Sequence, residues 1–393
     1  MPFAKPIYAV AGYKTVFMGP GRPEFKPEDS AASFETIIKE TADGTMAQVP
    51  HRHIDEGVIG SFMAARFINQ ANLPGFLPFM VPELLYKPCF GVEGACGTGG
   101  RAIGVAIRSL LSGLADTVFV SAFEIQNTMK ALYGADVLAG AAYYNGERKE
   151  GEAFFFPGIF SNRAVQYMEK YGKEKTREAL ATWYENAIIH ARSDAKAQEH
   201  FNKTTDLKTL GMTPPNPKTF LPGLNPYDCS KVSDGAASLI LATEAGLKKL
   251  GVEPILEIIG LGEAEGDITA RPKDPTRMDT TEAATKKAFQ SASLKPSDIH
   301  RYEVHDCFTI SGLLSLEAIG LANPGEGPDY ILSKKSFDKV NLSGGLIGFG
   351  HPTGASGVRM LVDLIHDEKA KLAMMVSMGG NDKTVTALIT KRI

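Results

Sequence analysis

A cysteine flanked by glycines stands directly before a helical pattern of apolar residues. It is Cys96, in the stretch Val92-Glu93-Gly94-Ala95-Cys96-Gly97-Thr98-Gly99-Gly100. Apolar residues follow at positions 103, 107, 110, 111 and 114, and their spacing predicts a helix from about Gly97 to Gly113. Cys96 would face unpaired backbone N–H groups and the positive end of the helix dipole, so we expect the pKa of its thiol to be lowered. The pattern predicts either a nucleophile or an ordinary small buried residue at a helix start.

The chain around this stretch is long, weakly charged and poor in cysteine. Its 393 residues carry a net charge of −3, which gives no sign of a nucleic-acid partner. The four cysteines, at 89, 96, 229 and 307, follow neither the spacing of a zinc site nor that of a secreted disulfide framework. The sequence shows no signal-peptide pattern and no apolar run of about 20 residues. We therefore expect a soluble, cytoplasmic protein that does not enter a membrane.

Short apolar runs alternate with helical patterns, which is typical of a covered, largely parallel sheet. The predicted strands lie at 7–12, 117–122, 238–242, 255–260, 302–304, 372–377 and 385–390. The other predicted helices lie at 29–43, 60–72, 162–171, 177–193, 280–291 and 357–367, with one more after Phe308. The order predicts an α/β protein of two similar halves, 1–250 and 251–393. An inserted loop domain at about 123–223, where the alternation stops, would lie over the active site.

Two residues that could take part in catalysis follow the strand predicted at 302–304. They are His305 and Cys307, at the end of the strand where ligands bind in α/β sheets. His305 could donate a hydrogen bond to a substrate carbonyl. Cys307 could act as an acid or base if its pKa is brought near neutral. The alternative is that His305 is a loop residue and that Cys307 fills the core.

A glycine-rich stretch at 341–357 holds His351 between a glycine and a proline. A rigidly held imidazole beside a thiol can take its proton. A phosphate-binding loop is the competing interpretation, but neither GxGxxG nor GxxxxGKS/T is present. Farther on, Gly379 ends a predicted strand, and its backbone N–H could serve an oxyanion hole. His51 and His53 do not share a helix face, so we expect no metal site there.

Taken together, these segments resemble the thiolase superfamily over nearly the whole chain. The 92–100 stretch resembles the family's nucleophile motif, Asp228–Ala237 its polar turn, and Gly350–Ala355 its GHP histidine motif. The resemblance implies a duplicated, five-layer αβαβα fold with an inserted loop domain, usually assembled as homodimers or homotetramers. The run His305-Asp306-Cys307-Phe308 is similar to sterol-carrier-protein-type and archaeal thiolases, whereas many other members carry Asn-Glu-Ala-Phe there.

The resemblance also implies a chemistry. Cys96 would accept an acyl group as a thioester, and His351 would deprotonate Cys96. Cys307 would move the proton of the α-carbon while a carbon–carbon bond breaks or forms. It is the natural candidate because this chain has Ser377 where many thiolases have a second catalytic cysteine.

Two oxyanion holes complete the implied site. One would use His305 and His351, and the other would use the backbone N–H groups of Cys96 and Gly379. Coenzyme A would be a substrate or product, and neither a metal nor a covalently bound cofactor would be needed. The resemblance identifies no residue that contacts coenzyme A.

The resemblance also implies a partner protein, a mode of assembly and a substrate class. Members of this subgroup often act with a small partner that combines a zinc ribbon with an OB fold, and relatives pair through strands that correspond to 117–122. Aromatic side chains favour a bulky or aromatic acyl group, although such residues also fill cores; they are Phe123, Tyr133, Tyr143, Tyr144, Phe154, Phe155, Phe156 and Phe160. Two alternatives stay open: a cofactor-free carbon acyltransferase acting on a phenolic ring, and a thiolase-like scaffold subunit without turnover.

Overall fold

A computed structural model describes residues 3–148 and 154–393 of the chain. The strands are β1 (Tyr8–Lys14), β2 (Glu56–Gly60), β3 (Cys89–Val92), β4 (Thr117–Glu124), β5 (Gly235–Ala242), β6 (Leu256–Glu265), β7 (Arg301–Val304), β8 (Leu372–Gly379) and β9 (Thr384–Arg392). The helices are α1 (Phe34–Met46), α2 (Ala64–Phe67), α3 (Leu77–Met80), α4 (Thr98–Ser112), α5 (Ala131–Leu138), α6 (Tyr144–Glu147), α7 (Phe155–Tyr171), α8 (Lys173–Ala191), α9 (Leu207–Gly211), α10 (Glu244–Leu250), α11 (Asp279–Ala292), α12 (Thr309–Ile319), α13 (Gly327–Leu332), α14 (Gly345–Phe349) and α15 (Ser356–His366). Among these described residues, no helix has both the length and the apolar character needed to cross a membrane.

The strands form one sheet in the order β3-β2-β4-β5-β1-β6-β9-β8-β7. The two halves have the same strand order when each is followed outward from the centre of the sheet. In each half the first strand comes first, then the last, the next-to-last and the second, which gives β1-β5-β4-β2 and β6-β9-β8-β7. The directions repeat as well, because two antiparallel pairs are followed by a parallel pair on each side. The halves meet at the pairs Tyr8–Glu257 and Ala9–Leu256. The predicted duplicated α/β fold is therefore confirmed. The expectation of a largely parallel sheet is wrong, because five of the eight neighbouring pairs of described strands are antiparallel.

The sheet is covered on both faces, because alternate side chains of a strand enter different cores. In β4, Val118 packs in the same core as Ile107 of α4, whereas its neighbour Phe119 packs with Ile38 of α1. In the second half, α11 packs on β6 and β9. Between the halves lie α4 and α15, and α4 contacts strands of both. This arrangement gives the αβαβα layers that the resemblance implied.

Glycines allow α4 and α15 to cross with their backbones in contact. A Cβ atom placed on Gly99 would lie 2.6 Å from the backbone nitrogen of Val358 and 2.9 Å from the Cα of Gly357. No side chain fits at that crossing. Cys96 comes directly before α4 and His351 shortly before α15, so the close crossing brings these two residues together from distant parts of the chain.

Two predictions about the first half are wrong. The helix predicted at 60–72 is only the short α2, and the residues before it form the fully buried strand β2, which pairs in parallel with β3 and β4. The strand at 117–122 cannot pair with a second copy, because β2 and β5 already occupy both edges of β4. The strand at the edge of this half is β3, where Phe90 is exposed.

Candidate active site

Cys96 lies in a tight turn between β3 and α4. The turn, Ala95–Gly97, is a single 3₁₀ turn in which Cys96 is only 4% exposed. Ala95 has a φ of +51°, in the left-handed region that residues with a Cβ rarely adopt. The hydroxyl of Thr98 donates to the carbonyl oxygen of Ala95 (2.6 Å) and accepts from the backbone N–H of Gly94 (3.0 Å). These bonds hold the strained turn and present the sulfur at the start of α4.

The prediction of a lowered pKa for the Cys96 thiol is wrong. Burial raises the pKa well above 9.0, and the neighbouring Cys307 and Glu124 raise it further. A backbone hydrogen bond at the helix start lowers the pKa, but the loss of hydration outweighs it. In the unliganded protein Cys96 is therefore a thiol, and a base must take its proton when the sulfur reacts.

His351 carries a ring nitrogen suited to that task. Its Nδ1 lies 2.7 Å from the hydroxyl oxygen of Ser356, which itself donates to the carbonyl oxygen of Pro352 (3.1 Å). Because that hydroxyl donates its hydrogen to Pro352, it must accept a hydrogen bond from Nδ1–H of His351. The free lone pair of the His351 ring is therefore on Nε2. Nε2 has no hydrogen-bond partner among the described residues. Burial, together with nearby His305 and Arg359, holds the pKa of His351 well below 6.5, so the ring is neutral.

His305 lies beside His351 and is completely buried. The two ring centroids are 5.1 Å apart and the rings stand nearly perpendicular, at 81°. Within the part of the chain that the structure describes, neither ring nitrogen of His305 has a hydrogen-bond partner. Burial lowers the pKa of His305 to about 3, and the positive charge of Arg359 contributes in the same direction.

The sulfur of Cys96 and a ring nitrogen from each of His305 and His351 lie within 4.8 Å of one another. A thiol and two neutral imidazoles at this range can pass protons among themselves and to a bound substrate. The same donors would also suit a thiophilic cation such as zinc. That the site works without a metal stays a prediction.

Cys307 lines the same cavity as Cys96 and His351. Its sulfur lies 3.7 Å from the hydroxyl oxygen of Ser311. Burial raises the pKa of the Cys307 thiol to about 12, although the contact with Ser311 lowers it. The near-neutral pKa set as the condition for acid–base work is therefore not met in the unliganded protein. Cys307 begins as a thiol, ready to donate a proton rather than to accept one.

Asp306 fixes the segment that carries His305 and Cys307. Its carboxylate accepts from the indole N–H of Trp183 (2.9 Å) and from the backbone N–H of Leu346 at the start of α14 (2.7 Å). The backbone of Cys307 is held as well, because its carbonyl oxygen accepts from the N–H of Ser230 (2.9 Å). Sequence reasoning gave Asp306 no role, although a carboxylate between two catalytic candidates at a strand end is a usable signal.

The polar turn at 228–237 positions His351. The hydroxyl of Ser233 accepts from the backbone N–H of His351 (2.9 Å), and the carboxylate of Asp234 accepts from the backbone N–H of Gln126 (2.6 Å). The side-chain amide of Gln126 in turn donates to the carbonyl oxygen of His351 (2.8 Å). These bonds tie the residues after β4 to the histidine loop.

Two buried charged residues brace the elements that carry the site. Sequence reasoning missed Glu124, and it placed Asp228 in the polar turn without giving it a role. Glu124, at the end of β4, accepts from the backbone N–H groups of Phe62 (2.8 Å) and Gly354 (3.0 Å). Asp228 makes a two-point ion pair with Arg177 of α8, with oxygen–nitrogen distances of 2.6 and 2.7 Å. A lone carboxylate that ends an apolar strand, as Glu124 does, is the signal that could have identified it.

The cavity has a volume of about 380 Å³. The residues that line it are Pro20, Phe67, Cys96, Gln126, Asn127, Met129, Ala131, Gly134, Ala135, Leu138, Phe154, Phe156, Pro157, Phe220, Cys229, Ser230, Lys231, Val232, Cys307, Phe308, His351 and Thr353. Ser377 is not among them, because it packs on the central helices. A Cβ atom placed on Gly100 would lie 2.6 Å from the Cβ of Ser377. Gly379 is close to the nucleophile turn, since a Cβ on Gly97 would lie 2.9 Å from the backbone nitrogen of Gly379.

The aromatic lining differs from the one predicted. Of the eight aromatic residues named from the sequence, two line the cavity, Phe154 and Phe156. Tyr133, Tyr143 and Tyr144 are exposed, and the remaining three are buried in the core. Phe67, Phe220 and Phe308 also line the cavity and were missed, because they come from distant parts of the chain.

Comparison with known proteins identifies relatives along most of the chain. The family description "Thiolase C-terminal domain-like" matches residues 263–391. An acetyl-CoA acetyltransferase of Methanocaldococcus jannaschii is 29% identical over 380 residues, covering 90% of this chain and 93% of the relative. The benzoylsuccinyl-CoA thiolase subunit BbsB of Thauera aromatica is 27% identical, covering 92% and 88%. Sterol carrier protein 2 of Bos taurus is 29% identical, covering 88% of this chain and 65% of that protein.

Solved structures share the fold over the full length. The Ltp2-ChsH2(DUF35) aldolase has a TM-score of 0.76 at 17% identity, covering 98% of each chain. Human mitochondrial 3-ketoacyl-CoA thiolase in complex with CoA has a TM-score of 0.71 at 19% identity, covering 100% of this chain and 99% of that one. The fold, the relatives and the cavity lined by Cys96, Cys307 and His351 together define an acyltransferase enzyme. Over most of its length the chain is similar to proteins of the thiolase superfamily, as the motifs around Cys96 and His351 predicted.

Proposed function

We propose that this thiolase-type acyltransferase cleaves or makes the carbon–carbon bond of a 3-oxoacyl-CoA through an acyl thioester on Cys96. The observation that carries the proposal is the lone pair on Nε2 of His351. Ser356 fixes the ring proton on Nδ1, and the ring lies in the cavity with the protonated sulfur of Cys96. A neutral base beside a neutral thiol is the starting point for nucleophilic attack by the sulfur.

In the cleavage direction, Nε2 of His351 takes the proton of Cys96 as the sulfur attacks the 3-oxo carbon. The tetrahedral oxyanion collapses, the bond between C2 and C3 breaks, and the acyl group stays on Cys96. The departing thioester enolate takes the proton of Cys307 at C2. The thiol of coenzyme A then gives its proton to Cys307 and attacks the acyl group, and the sulfur of Cys96 recovers its proton from His351. Every proton is returned, so the enzyme ends in its starting state.

Two sets of donors would stabilise the negative charges. His305 holds a buried imidazole N–H without a partner among the described residues, and His351 becomes a second donor once it has taken the proton of Cys96. The backbone N–H groups of Cys96 and Gly379 would form the other oxyanion hole. Loss of one such donor typically costs about 10²–10³-fold in rate.

We also propose that the acyl group is bulky and apolar, with an aromatic ring as one candidate. Support comes from the aromatic walls formed by Phe67, Phe154, Phe156, Phe220 and Phe308. Phe308 is itself braced by stacking at 4.5 Å on Phe160. One relative is named for an aromatic substrate, benzoylsuccinyl-CoA.

A panel of 3-oxoacyl-CoA esters with coenzyme A tests the function, with mass spectrometry of the acyl group on Cys96. We expect the wild type to form the acyl-enzyme and Cys96→Ala to form none. Cys307→Ala should still be acylated by a simple acyl-CoA, because the thiolate of coenzyme A can leave and take a proton from solvent. Its carbon–carbon cleavage should fall by about 10²–10⁴-fold. A wild type that is never acylated would favour a scaffold role, and transfer only to a phenolic ring would favour the carbon acyltransferase.

For the assembly we propose a homodimer, or a homotetramer built from it, paired through the edge strand β3. Exposed apolar side chains lie on and near this edge, namely Phe79 (48%), Leu85 (56%), Tyr86 (97%) and Phe90 (45%). Phe90→Lys should yield monomers in light scattering, whereas Leu114→Lys, at an exposed apolar residue away from β3, should not. A dimeric Phe90→Lys variant would contradict this interface.

A small partner subunit and a cytoplasmic location are further proposals. The partner is supported by the DUF35 component in the name of one structural neighbour. The location is supported by four free cysteines, as expected in a reducing compartment. Co-purification with a tagged chain from its native cells tests the partner, and fractionation of the same cells tests the location.

A further inference from the structure

One charged side chain lines the cavity that holds Cys96. Among the described lining residues, Lys231 is the sole side chain with a formal charge, since the histidine there is neutral and no carboxylate is present. Its ammonium group makes no hydrogen bond or ion pair with any described residue. Lys14, by contrast, pairs with Asp194 at 2.6 Å.

The backbone of Lys231 is fixed between the two catalytic segments. Its carbonyl oxygen accepts from the hydroxyl of Ser233 (3.2 Å) and from the backbone N–H of His351 (3.3 Å). The preceding residue, Ser230, donates its N–H to Cys307 (2.9 Å). The half-buried side chain therefore starts from a rigid position beside the reacting groups.

The positive charge of Lys231 affects the pKa of a group that lines the cavity. Burial raises the pKa of the Cys229 thiol, a lining residue, and Asp228 raises it further, whereas Lys231 acts in the opposite direction. A lysine ammonium is strongly hydrated. When an apolar acyl group fills the cavity, it removes water from this ammonium, which costs free energy unless a negative charge takes the place of the water.

We propose that Lys231 is a specificity-determining residue that pairs with an anionic oxygen group of the substrate, namely a carboxylate on the acyl part of the 3-oxoacyl-CoA. This inference rests on the proposed function and names its substrate class: acyl groups with an apolar body and a negatively charged end. A charge-assisted bond between ammonium and carboxylate is among the stronger hydrogen bonds. It would select these acyl groups over neutral ones of the same length.

The phosphates of coenzyme A offer the same anionic chemistry, and they are the competing source. They lie at the far end of the pantetheine arm from the thioester, whereas Lys231 lines the cavity that contains the sulfur of Cys96. Proximity to the reacting carbon therefore favours the acyl carboxylate. Thioesters of pantetheine, which have no phosphates, separate the two sources.

The test compares Lys231→Met and Lys231→Arg with the wild type on matched substrates. These are 3-oxoadipyl and 3-oxohexanoyl thioesters, which differ only in a terminal carboxylate, each on coenzyme A and on pantetheine. Lys248→Met, at an exposed lysine of α10, is the control. We expect Lys231→Met to lower kcat/KM for the carboxylated substrates by about 10- to 100-fold, and for the neutral ones by less than twofold. Lys231→Arg should keep most of the preference.

Other outcomes would overturn either this inference or the proposed function. Equal losses on both acyl groups that vanish with pantetheine thioesters would assign Lys231 to the phosphates and overturn the inference. A wild type with no preference for the carboxylate, unchanged in Lys231→Met, would overturn it while the proposed function stands. A wild type that cleaves none of the four thioesters, or any other 3-oxoacyl-CoA, would refute the proposed function itself. Thermal melting checks that each variant is folded.

Discussion

The ionisation of Cys96 can be measured directly, because only the thiolate reacts with iodoacetamide. Burial raises the pKa of this thiol well above 9.0. Each unit between pH and pKa is a factor of ten, so the thiolate fraction at pH 7 is below about 1%. We expect the alkylation rate of Cys96 to rise about tenfold per pH unit from pH 7 to pH 9, without a plateau.

The assay is the pseudo-first-order loss of unmodified Cys96 peptide by mass spectrometry, with Cys89 in the same sample as a reference. Cys89 is only half-buried, so it should react faster than Cys96 at pH 7. In His351→Ala the alkylation profile should change little, whereas turnover should fall by about 10²–10⁴-fold, because the imidazole acts only when the sulfur attacks substrate. A plateau with a midpoint below pH 7 in the wild type, lost in His351→Ala, would show a resting thiolate–imidazolium pair and refute this reasoning.

Three further predictions concern stability. The pKa of His305 is lowered to about 3, so below pH 6.5 the unfolded chain binds a proton that the folded protein does not. The free energy of unfolding should therefore fall on acidification below pH 6.5, by up to about 1.4 kcal/mol per pH unit. Urea midpoints at pH 7 and 5.5 should differ more in the wild type than in His305→Asn. Gly357→Ala should force α4 and α15 apart and cost about 1–3 kcal/mol in thermal melts, whereas Gly158→Ala, with its nearest neighbour at 4.0 Å, should not destabilise. Arg177→Met leaves Asp228 buried and unpaired, so unfolding in urea should show a loss of about 3–5 kcal/mol, part of which Asp228→Asn should restore.

Local pattern was sufficient where one segment contains its own signal. The glycine-flanked Cys96 and the apolar spacing after it predicted both the start of α4 and the position of the sulfur. The same holds for His351, where glycines and a proline announce a rigid loop. Strands that are mostly apolar, such as β4 and β5, were also predicted close to their observed bounds.

Local pattern failed where the environment decides. β2 has the residues Glu-Gly-Val-Ile-Gly, which carry no clear strand signal, and it is a strand because β3 and β4 pair with both its edges. The pKa of Cys96 was predicted with the wrong sign, since the helix start is visible in the sequence and the depth of burial is not. Asp306 shows the same limit, because its partners Trp183 and Leu346 are far away in the chain.

The protonation state of the unliganded site does not select the direction of reaction. Cleavage starts with thiols at Cys96 and Cys307 and a neutral His351, and it ends in the same state after coenzyme A has returned the proton of Cys307. Run backwards, Cys307 first gives its proton to the departing thiolate of coenzyme A and then takes the α-proton of the second thioester, so condensation needs no different starting state. A substitution at Cys307 cannot change the equilibrium constant between free substrates and products. Cys307→Ala must therefore reduce kcat/KM for cleavage and for condensation by the same factor once the co-substrate terms are matched. Because the same transition state is crossed in both directions, the same group must carry the α-proton both ways. Rates in both directions at fixed concentrations of coenzyme A and thioester test this role, and near wild-type rates in both directions for Cys307→Ala would mean that a group other than Cys307 carries the α-proton.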